Sequence, residues 1–311
     1  MIIWITGARG FIGQHLARHL SHVEATVAGI GHGRMTDAKA KELGLSYWGN
    51  ADVDTPNLDH LKSKTGLPNI IFHLAGGSAV GASFANPFED YRRTVTSAAT
   101  VLEWIRQNDR ECRFVFASSA AVYGNGHTEP IVETAPKVPF SPYGSHKYMV
   151  EELCRSYSVN FGLDTRIARP FSVYGEGLEK QLVYDLCQRL ASNENPIKLG
   201  GTGQETRDWI HVSDIVKGLY QLAMLDDGAS LTINLGTGVQ TSVAEIAGFI
   251  ASEWSPSKRI EFDGKPRSGD PFQLVADITK LGELDFGNSM DWKKGVARVV
   301  KWYREYHRAV D

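Results

Sequence analysis

A doubly wound parallel α/β sheet carrying a second, smaller lobe is the fold class that this 311-residue sequence predicts. Three observations predict it. Short apolar runs alternate with helical patterns through the first half, a glycine-rich turn joins the first apolar run to the first helix, and the rhythm changes after Arg169-Pro170. The length suits one large α/β domain with a smaller partner. At 42% hydrophobic and 22% charged residues the chain falls among ordinary globular proteins rather than disordered or membrane classes.

The elements follow in order. Residues 2–6 open with Ile2, Ile3, Trp4 and Ile5. This run is far shorter than the roughly 20 residues of a membrane span and has no basic leader, so it reads as a buried strand of a cytoplasmic protein. Further strands are expected at 26–29, 70–75, 113–118, 164–169 and 231–235, with helices at 12–21, 90–108 and 143–161. Segments 175–203, 243–253 and 256–267 read as a layer added at the carboxyl ends of the strands, where ligands of open α/β sheets sit. Because 231–235 still reads as a sheet strand, the chain is expected to cross between the lobes more than once.

Composition excludes several functions. A net charge of −3 with no dense Lys/Arg run argues against a nucleic-acid partner. Cys112, Cys154 and Cys187 are odd in number and far apart, which fits neither a disulfide framework nor a zinc site, so they read as reduced core thiols and no metal is expected.

Gly7-Ala8-Arg9-Gly10-Phe11-Ile12-Gly13 lies between a strand and a helix, the context in which glycine spacing means phosphate binding. Gly7 permits the tight turn, Gly10 lets backbone approach a pyrophosphate, and Gly13 allows close helix–strand packing. The helix N-terminus offers free N–H groups and partial positive charge. Residues 1–170, with about 208–240 returning, are therefore expected to form a dinucleotide-binding Rossmann domain, and 171–207 with 241–311 a smaller α/β substrate lobe. A second constellation is Tyr143-Gly144-Ser145-His146-Lys147. On a helix, positions i and i+4 share a face, so the Tyr143 phenol and the Lys147 ammonium point into the same space. Bringing a phenol from a pKa of about 10 to neutrality takes roughly 4 kcal/mol, which Lys147 and a cationic nicotinamide ring are expected to supply.

These motifs resemble the extended short-chain dehydrogenase/reductase family, the NAD(P)-dependent nucleotide-sugar epimerases, dehydratases and reductases. The likeness runs from residue 2 to about 285 and begins with the GxxGxxG spacing. It implies that Gly7, Gly10, Phe11, Ile12 and Gly13 hold the dinucleotide together with Leu74, Ala75 and Gly76 of the HLAG-like segment, Asp52 near the adenine, and Tyr143 and Lys147 at the nicotinamide ribose. Ser119, opening Ser119-Ala120-Ala121-Val122-Tyr123-Gly124, resembles the hydroxyl that orients the substrate oxygen, with Ser118 as its less suited neighbour. Ser119, Tyr143 and Lys147 are thus the expected catalytic set. Ser78, Ser119, Ser172, Arg207 and Arg267 are expected at the substrate. Ser172 stands where relatives carry asparagine, and the two arginines resemble a diphosphate clamp, a task for planar bidentate donors. His211 reads as a packed strand residue.

Relatives that use NAD carry an aspartate near Gly31, where this chain runs Gly31-His32-Gly33-Arg34. An uncharged site flanked by His32 and Arg34 suits a 2′-phosphate, so NADP(H) is the preferred cofactor and NAD(H) the alternative. Relatives that dehydrate carry an Asp-Glu pair after the catalytic hydroxyl residue. Ala120 and Ala121 stand there in this chain, which disfavours dehydration, and Ala121 also replaces the cysteine of double-epimerising reductases. The expected activity is hydride transfer at C4 of a nucleotide-sugar: reduction of a 4-keto-6-deoxy sugar first, C4 epimerisation as the alternative, and a non-catalytic dinucleotide sensor as a remote third. The resemblance also implies a homodimer through helices 90–108 and 143–161.

Overall fold

The computed structural model describes residues 1–308 except 193, 227–229, 266–270, 285 and 288, and of residue 308 the backbone alone. The chain divides into two compact units, 1–124 with 135–170 and 216–233, and 125–134 with 171–215 and 234–311.

The first unit is built on strands β1 (Ile2–Thr6), β2 (Thr26–Gly31), β3 (Tyr47–Asn50), β4 (Ile70–His73), β5 (Arg113–Ala117) and β6 (Thr165–Pro170). Their order across the sheet is β3-β2-β1-β4-β5-β6, followed by Leu231–Leu235. Neighbours from β3 to β6 run parallel. Strands covered on both faces need apolar side chains at consecutive positions, and Ile3, Trp4, Ile5 and Phe114, Val115, Phe116 are accordingly all buried. Strand order reverses between β1 and β4. Their carboxyl ends, Thr6 and His73, pair side by side with Thr6 Oγ1 and His73 Nδ1 2.9 Å apart. A crevice at such a switch point is where this architecture binds ligands.

Helices α1 (Phe11–Leu20), α2 (Asp37–Glu42), α3 (Thr55–Thr65), α4 (Val80–Ala85), α5 (Pro87–Tyr91), α6 (Ser97–Asn108) and α7 (Pro142–Phe161) complete this unit with part of Val212–Met224. One core joins Trp4, Leu58, Leu61, Leu102, Trp104 and Phe114. Both indoles there find acceptors, Trp4 Nε1 donating to Thr65 Oγ1 at 2.9 Å and Trp104 Nε1 to Asp59 Oδ1 at 2.8 Å. The single helix expected at 90–108 is instead α5, a π-helical turn at Arg92–Thr96, and α6. The wide turn brings Thr94 against the backbone after β4, where its hydroxyl accepts from Gly77 N at 2.8 Å.

In the second unit, Thr206–His211 pairs in parallel with Ser172–Tyr174 and Gln273–Leu274 and antiparallel with Gln240–Ser242. Helices Gln181–Leu190, Val243–Trp254 and Trp292–Arg308 bury Leu186, Ile246, Ile250 and Val299 in its core. Segments 125–134, 208–215 and 234–240 group with this unit, whereas sequence rhythm places them in the first. Long-range pairing decides it for 125–134: Ile131 N donates to Val275 O at 2.8 Å, and Asn234 Nδ2 to Ile131 O at 2.7 Å. All three cysteines are buried free thiols. Burial pushes each thiol up from its ordinary value, Cys187 to about 12.

Candidate active site

Thr6 leads into Gly7 at φ 72, a left-handed conformation that favours glycine. Gly7 N donates to Ile30 O at 2.7 Å and Gly10 N to Gly7 O at 2.8 Å, closing the turn. A Cβ on Gly7 would stand 2.9 Å from Ala75 N, so the segment after β4 lies directly on the turn, and a Cβ on Gly13 would stand 2.3 Å from Gly7 O. Helix α1 begins at Phe11 with Gly10 as its N-cap and no side-chain cap. The amides of Phe11, Ile12 and Gly13 are thus presented to an anion rather than to a capping side chain. A cradle that no Cβ can enter, ending on an uncapped helix, fits a dinucleotide pyrophosphate.

Leu74, Ala75 and Gly76 form the neighbouring wall, with Leu74 N donating to Thr6 O at 3.1 Å and Ala75 N to Thr6 Oγ1 at 3.2 Å. The exit of β2 differs from its expected form. Asp52 Oδ1 lies 2.9 Å from His32 Nε2, so a carboxylate stands where an uncharged site was expected, and His32 is engaged by it. Arg34 takes part through its backbone, its carbonyl accepting from Arg9 Nε at 3.1 Å. Arg9, which sequence reasoning passed over, lies across Gly33, where a Cβ would come within 2.7 Å of its guanidinium.

Helix α7 is anchored at its start. Ser141 caps it by accepting from Gly144 N at 3.1 Å, Pro142 fills the first turn, and Tyr143 N donates to Ser83 Oγ at 3.0 Å. Gly144 lets the helix press on the turn after β5, since a Cβ there would meet Ala121 O at 2.6 Å. This seats the Tyr143 phenol in a hydrogen bond with the Ser119 side chain, and Ser119 Oγ also accepts from Ala121 N at 3.1 Å. Lys147, one turn on, is buried; its Nζ donates to Ala117 O at 2.8 Å and lies 4.8 Å from the Phe116 ring centre and 5.8 Å from that of Tyr143. Ser119, Tyr143 and Lys147 therefore converge.

The electrostatics correct one expectation. Burial pushes the Tyr143 phenol up from its ordinary value; the Ser119 hydrogen bond pulls it back and Asp90 adds to the rise. Lys147 is brought down to about 8 by burial, against the opposing pull of Asp90 and Glu151. Burial of the phenol outweighs the Ser119 hydrogen bond, so the protein's own groups hold Tyr143 above its ordinary value.

Sequence reasoning missed the layer beneath. Ser118, the alternative hydroxyl, donates to Glu151 Oε1 at 2.5 Å, so it is committed to packing rather than to a substrate. Arg169 holds Glu151 through Nε at 2.9 Å and Nη2 at 2.6 Å, and its Nη1 donates to Tyr123 Oη at 2.7 Å. Helical spacing was the available signal, since Glu151 follows Lys147 by the same four residues that separate Lys147 from Tyr143. His146 Nδ1 donates to Asp90 Oδ2 at 2.6 Å, both side chains buried, and nothing in the sequence links residues so far apart.

In the second unit, Ser172 and Arg207 line a cavity of about 750 Å³ together with Gln181, Glu205 and Trp209. Arg207 Nη1 donates to Thr206 O at 2.8 Å. Ser78 is exposed on the segment before α4, and Arg267 lies outside the described residues. His211 is buried, pairing with Glu176 Oε2 at 2.9 Å and Ser213 Oγ at 2.8 Å. Among the described residues, no group of three or more His, Cys, Asp or Glu side chains could hold a metal ion, and no helix is long and apolar enough to cross a membrane.

Residues 3–236 match the family described as the NAD dependent epimerase/dehydratase family. The chain belongs to this family. It is 30% identical to a UDP-glucose 4-epimerase of Azospirillum brasilense, with 99% of this chain and 93% of that protein covered. Among solved structures, UDP-glucose 4-epimerase of Thermotoga maritima with UDP-glucose is similar at a TM-score of 0.88 and 25% identity, covering 99% and 100% of the two chains. UDP-glucuronic acid 4-epimerase of Bacillus cereus, in complex with UDP-glucuronic acid and NAD, is similar at a TM-score of 0.87 and 25% identity over 98% and 100%. The epimerase/dehydratase membership makes this chain an NAD-dependent oxidoreductase-type enzyme with a Rossmann-like sheet.

Proposed function

We propose that this family member interconverts the C4 epimers of a UDP-sugar, with NAD held between turnovers. The observation that carries the reading is the hydrogen-bonded Ser119–Tyr143 pair beside Ala120 and Ala121, whose methyl side chains cannot exchange protons, so the constellation serves one sugar oxygen better than it serves deprotonation at carbon. Likeness to 4-epimerases along the whole chain supports it. The expectation of a 4-ketoreductase rests on an uncharged exit of β2, and the Asp52 carboxylate paired with His32 removes that ground. A carboxylate there repels a 2′-phosphate and accepts from ribose hydroxyls, which favours NAD over NADP.

Gly7, Gly10, Gly13 and the start of α1 would hold the dinucleotide, which would supply a hydride acceptor and donor for C4 of the sugar. Tyr143 takes the proton of the 4-hydroxyl as hydride leaves and gives it back to the same oxygen after the sugar presents its other face. Ser119 donates to that oxygen and fixes its position. Lys147 holds the nicotinamide ribose and keeps a positive charge beneath the phenolate. The proton returns to the oxygen it left, so a half-buried phenol suits epimerisation, which needs no net proton exchange with solvent. Arg207 and Arg267 are assigned to the nucleotide diphosphate, with Ser78 and Ser172 as further substrate contacts. A homodimer belongs to the same reading, since Phe84, Phe88, Met149 and Val159 on α4, α5 and α7 are exposed apolar side chains.

The test is to release the dinucleotide from purified protein for mass analysis, and to incubate the protein with UDP-glucose without added cofactor. Retained NAD and formation of UDP-galactose are expected, with Tyr143→Phe slower by about 10²–10⁴-fold. NADPH oxidation with a 4-keto-6-deoxy nucleotide-sugar, and no epimer from any UDP-sugar, would restore the reductase reading.

A further inference from the structure

Lys147 raises a question of charge. The residue is 4% exposed, and its ammonium donates to a neutral carbonyl, Ala117 O. A buried cation needs a compensating anion close by. The first unit buries two carboxylates among its described residues, Glu151 and Asp90. Glu151 is held by both nitrogens of the buried Arg169 fork and by Ser118, so its charge is matched within that cluster. Asp90 is left. It stands on α5, is 7% exposed, and meets α7 at His146, the residue next to Lys147, and its charge acts on Lys147 more strongly than that of Glu151 does.

Asp90 is also fixed in place from two sides. Its Oδ2 accepts from His146 Nδ1, and its Oδ1 overlies Gly77, where a Cβ would come within 1.8 Å of that oxygen. Tyr91 packs edge-on against the His146 ring at 5.6 Å. Asp90 thereby joins the segment after β4, helix α5 and the helix that carries the phenol and ammonium.

We propose that Asp90, aimed by its hydrogen bond from His146, is the counter-charge of the buried Lys147 ammonium, and that the two form a positioning pair for the proton chemistry at Tyr143. This deepens the epimerase reading, on which it rests for the roles of Tyr143 and Lys147. The charged surroundings agree. Lys147 is faced by Asp90 from α5, by Tyr143 and Glu151 on its own helix with Arg169 of β6 on the latter, and by His73 from β4. Burial, with Lys147 adding to it, brings His73 down to about 3, so it is neutral and supplies no anion. Asp90 is faced by His146, Tyr143 and Lys147 from α7, while Arg92 and Arg93 of the adjoining turn are taken by Glu89. Asp90 raises both Lys147 and Tyr143, so it favours the ammonium and opposes the phenolate until the lysine offsets it.

The experiment is the pH profile of kcat for the protein with its retained dinucleotide, in the wild type and in Asp90→Asn, His146→Leu and His146→Asn. Asp90→Asn keeps the shape and removes the charge. Both limbs are expected to move to lower pH by about one unit, since Asp90 raises both groups and its removal releases both. His146→Leu removes the donor that aims the carboxylate and is expected to move the profile the same way. His146→Asn restores an amide donor and is expected to return it to the wild-type position. A profile lowered in height but unmoved in all three variants would make the pair merely structural and overturn the proposal. If the wild type turns over no UDP-sugar, the epimerase reading fails separately. The pair is then judged by the ultraviolet titration of Tyr143, taken as the difference between each protein and its Tyr143→Phe counterpart. A shift to lower pH in Asp90→Asn supports the proposal, and coincident titrations overturn it.

Discussion

Glu151→Gln changes one buried oxygen to nitrogen and should be among the most damaging substitutions outside the reacting groups. In the native protein Glu151 accepts from Ser118 at 2.5 Å and from the Arg169 fork at 2.9 and 2.6 Å, while Arg169 is 3% exposed. Burial disfavours the Arg169 charge, and the hydrogen bonds and charge of Glu151 more than restore it. With a neutral amide in place of the carboxylate, that cation keeps the Tyr123 hydroxyl at 2.7 Å but loses its counter-charge. Breaking a buried ion pair from one side costs about 3–5 kcal/mol, whereas replacing both partners by apolar side chains of similar volume is often close to neutral. With an m-value of about 3 kcal/mol/M, the urea midpoint of the first unit should fall by roughly 1–2 M. Trp4 and Trp104, packed at 5.1 Å in its core, report that transition by fluorescence. The double variant Glu151→Leu, Arg169→Met should recover more than half of the loss. A Glu151→Gln protein within about 1 kcal/mol of wild type, or a double variant as unstable as the single one, would refute the argument from unpaired charge.

Gly13→Ala puts a methyl 2.3 Å from Gly7 O and 2.7 Å from Ala8 Cα, both backbone atoms. It should cost about 1–3 kcal/mol and abolish dinucleotide retention, read by mass analysis of the purified protein. His73 sits near 3 in the folded protein and near 6.5 when unfolded, with burial the main cause. The unfolded chain therefore takes up the proton first, and stability falls as pH drops from 6.5 toward 3 by up to about 1.4 kcal/mol per pH unit. Comparing His73→Gln with wild type in urea at pH 7 and 4.5 isolates this slope, which the variant should lack. Asp52→Asn removes an exposed carboxylate beside His32 and should tighten NADP binding by a few-fold to tenfold, measured by calorimetry against NAD.

What could be read from the sequence was local. Strand β1, the turn Gly7–Gly13 and helix α1 are contiguous, and their glycines answer to one another across the turn. The shared face of Tyr143 and Lys147 was legible because helical spacing fixes their directions, and Ser119 was reached only through its likeness to the family's strand-end motif. The pairing of Asp52 with His32 was not legible because Asp52 belongs to a loop after β3 and reaches His32 only when β2 and β3 pair. Asp90 and His146 were invisible for the same reason, being brought together by helix packing. The helix at 90–108 reads as continuous since its apolar periodicity survives the π-helical turn, which depends on Thr94 meeting Gly77. Segment 125–134 looks like a loop of the first unit because its pairing with residues near 275 is long-range.

The burial of Cys112, Cys154 and Cys187 has a practical side. Thiols shielded from solvent and held in their neutral form are poor nucleophiles toward maleimides. The native chain is consequently a silent background for labelling: one cysteine introduced at a surface position would carry a dye or spin probe without first removing the natural three, and motion during turnover could be followed on an otherwise unaltered enzyme.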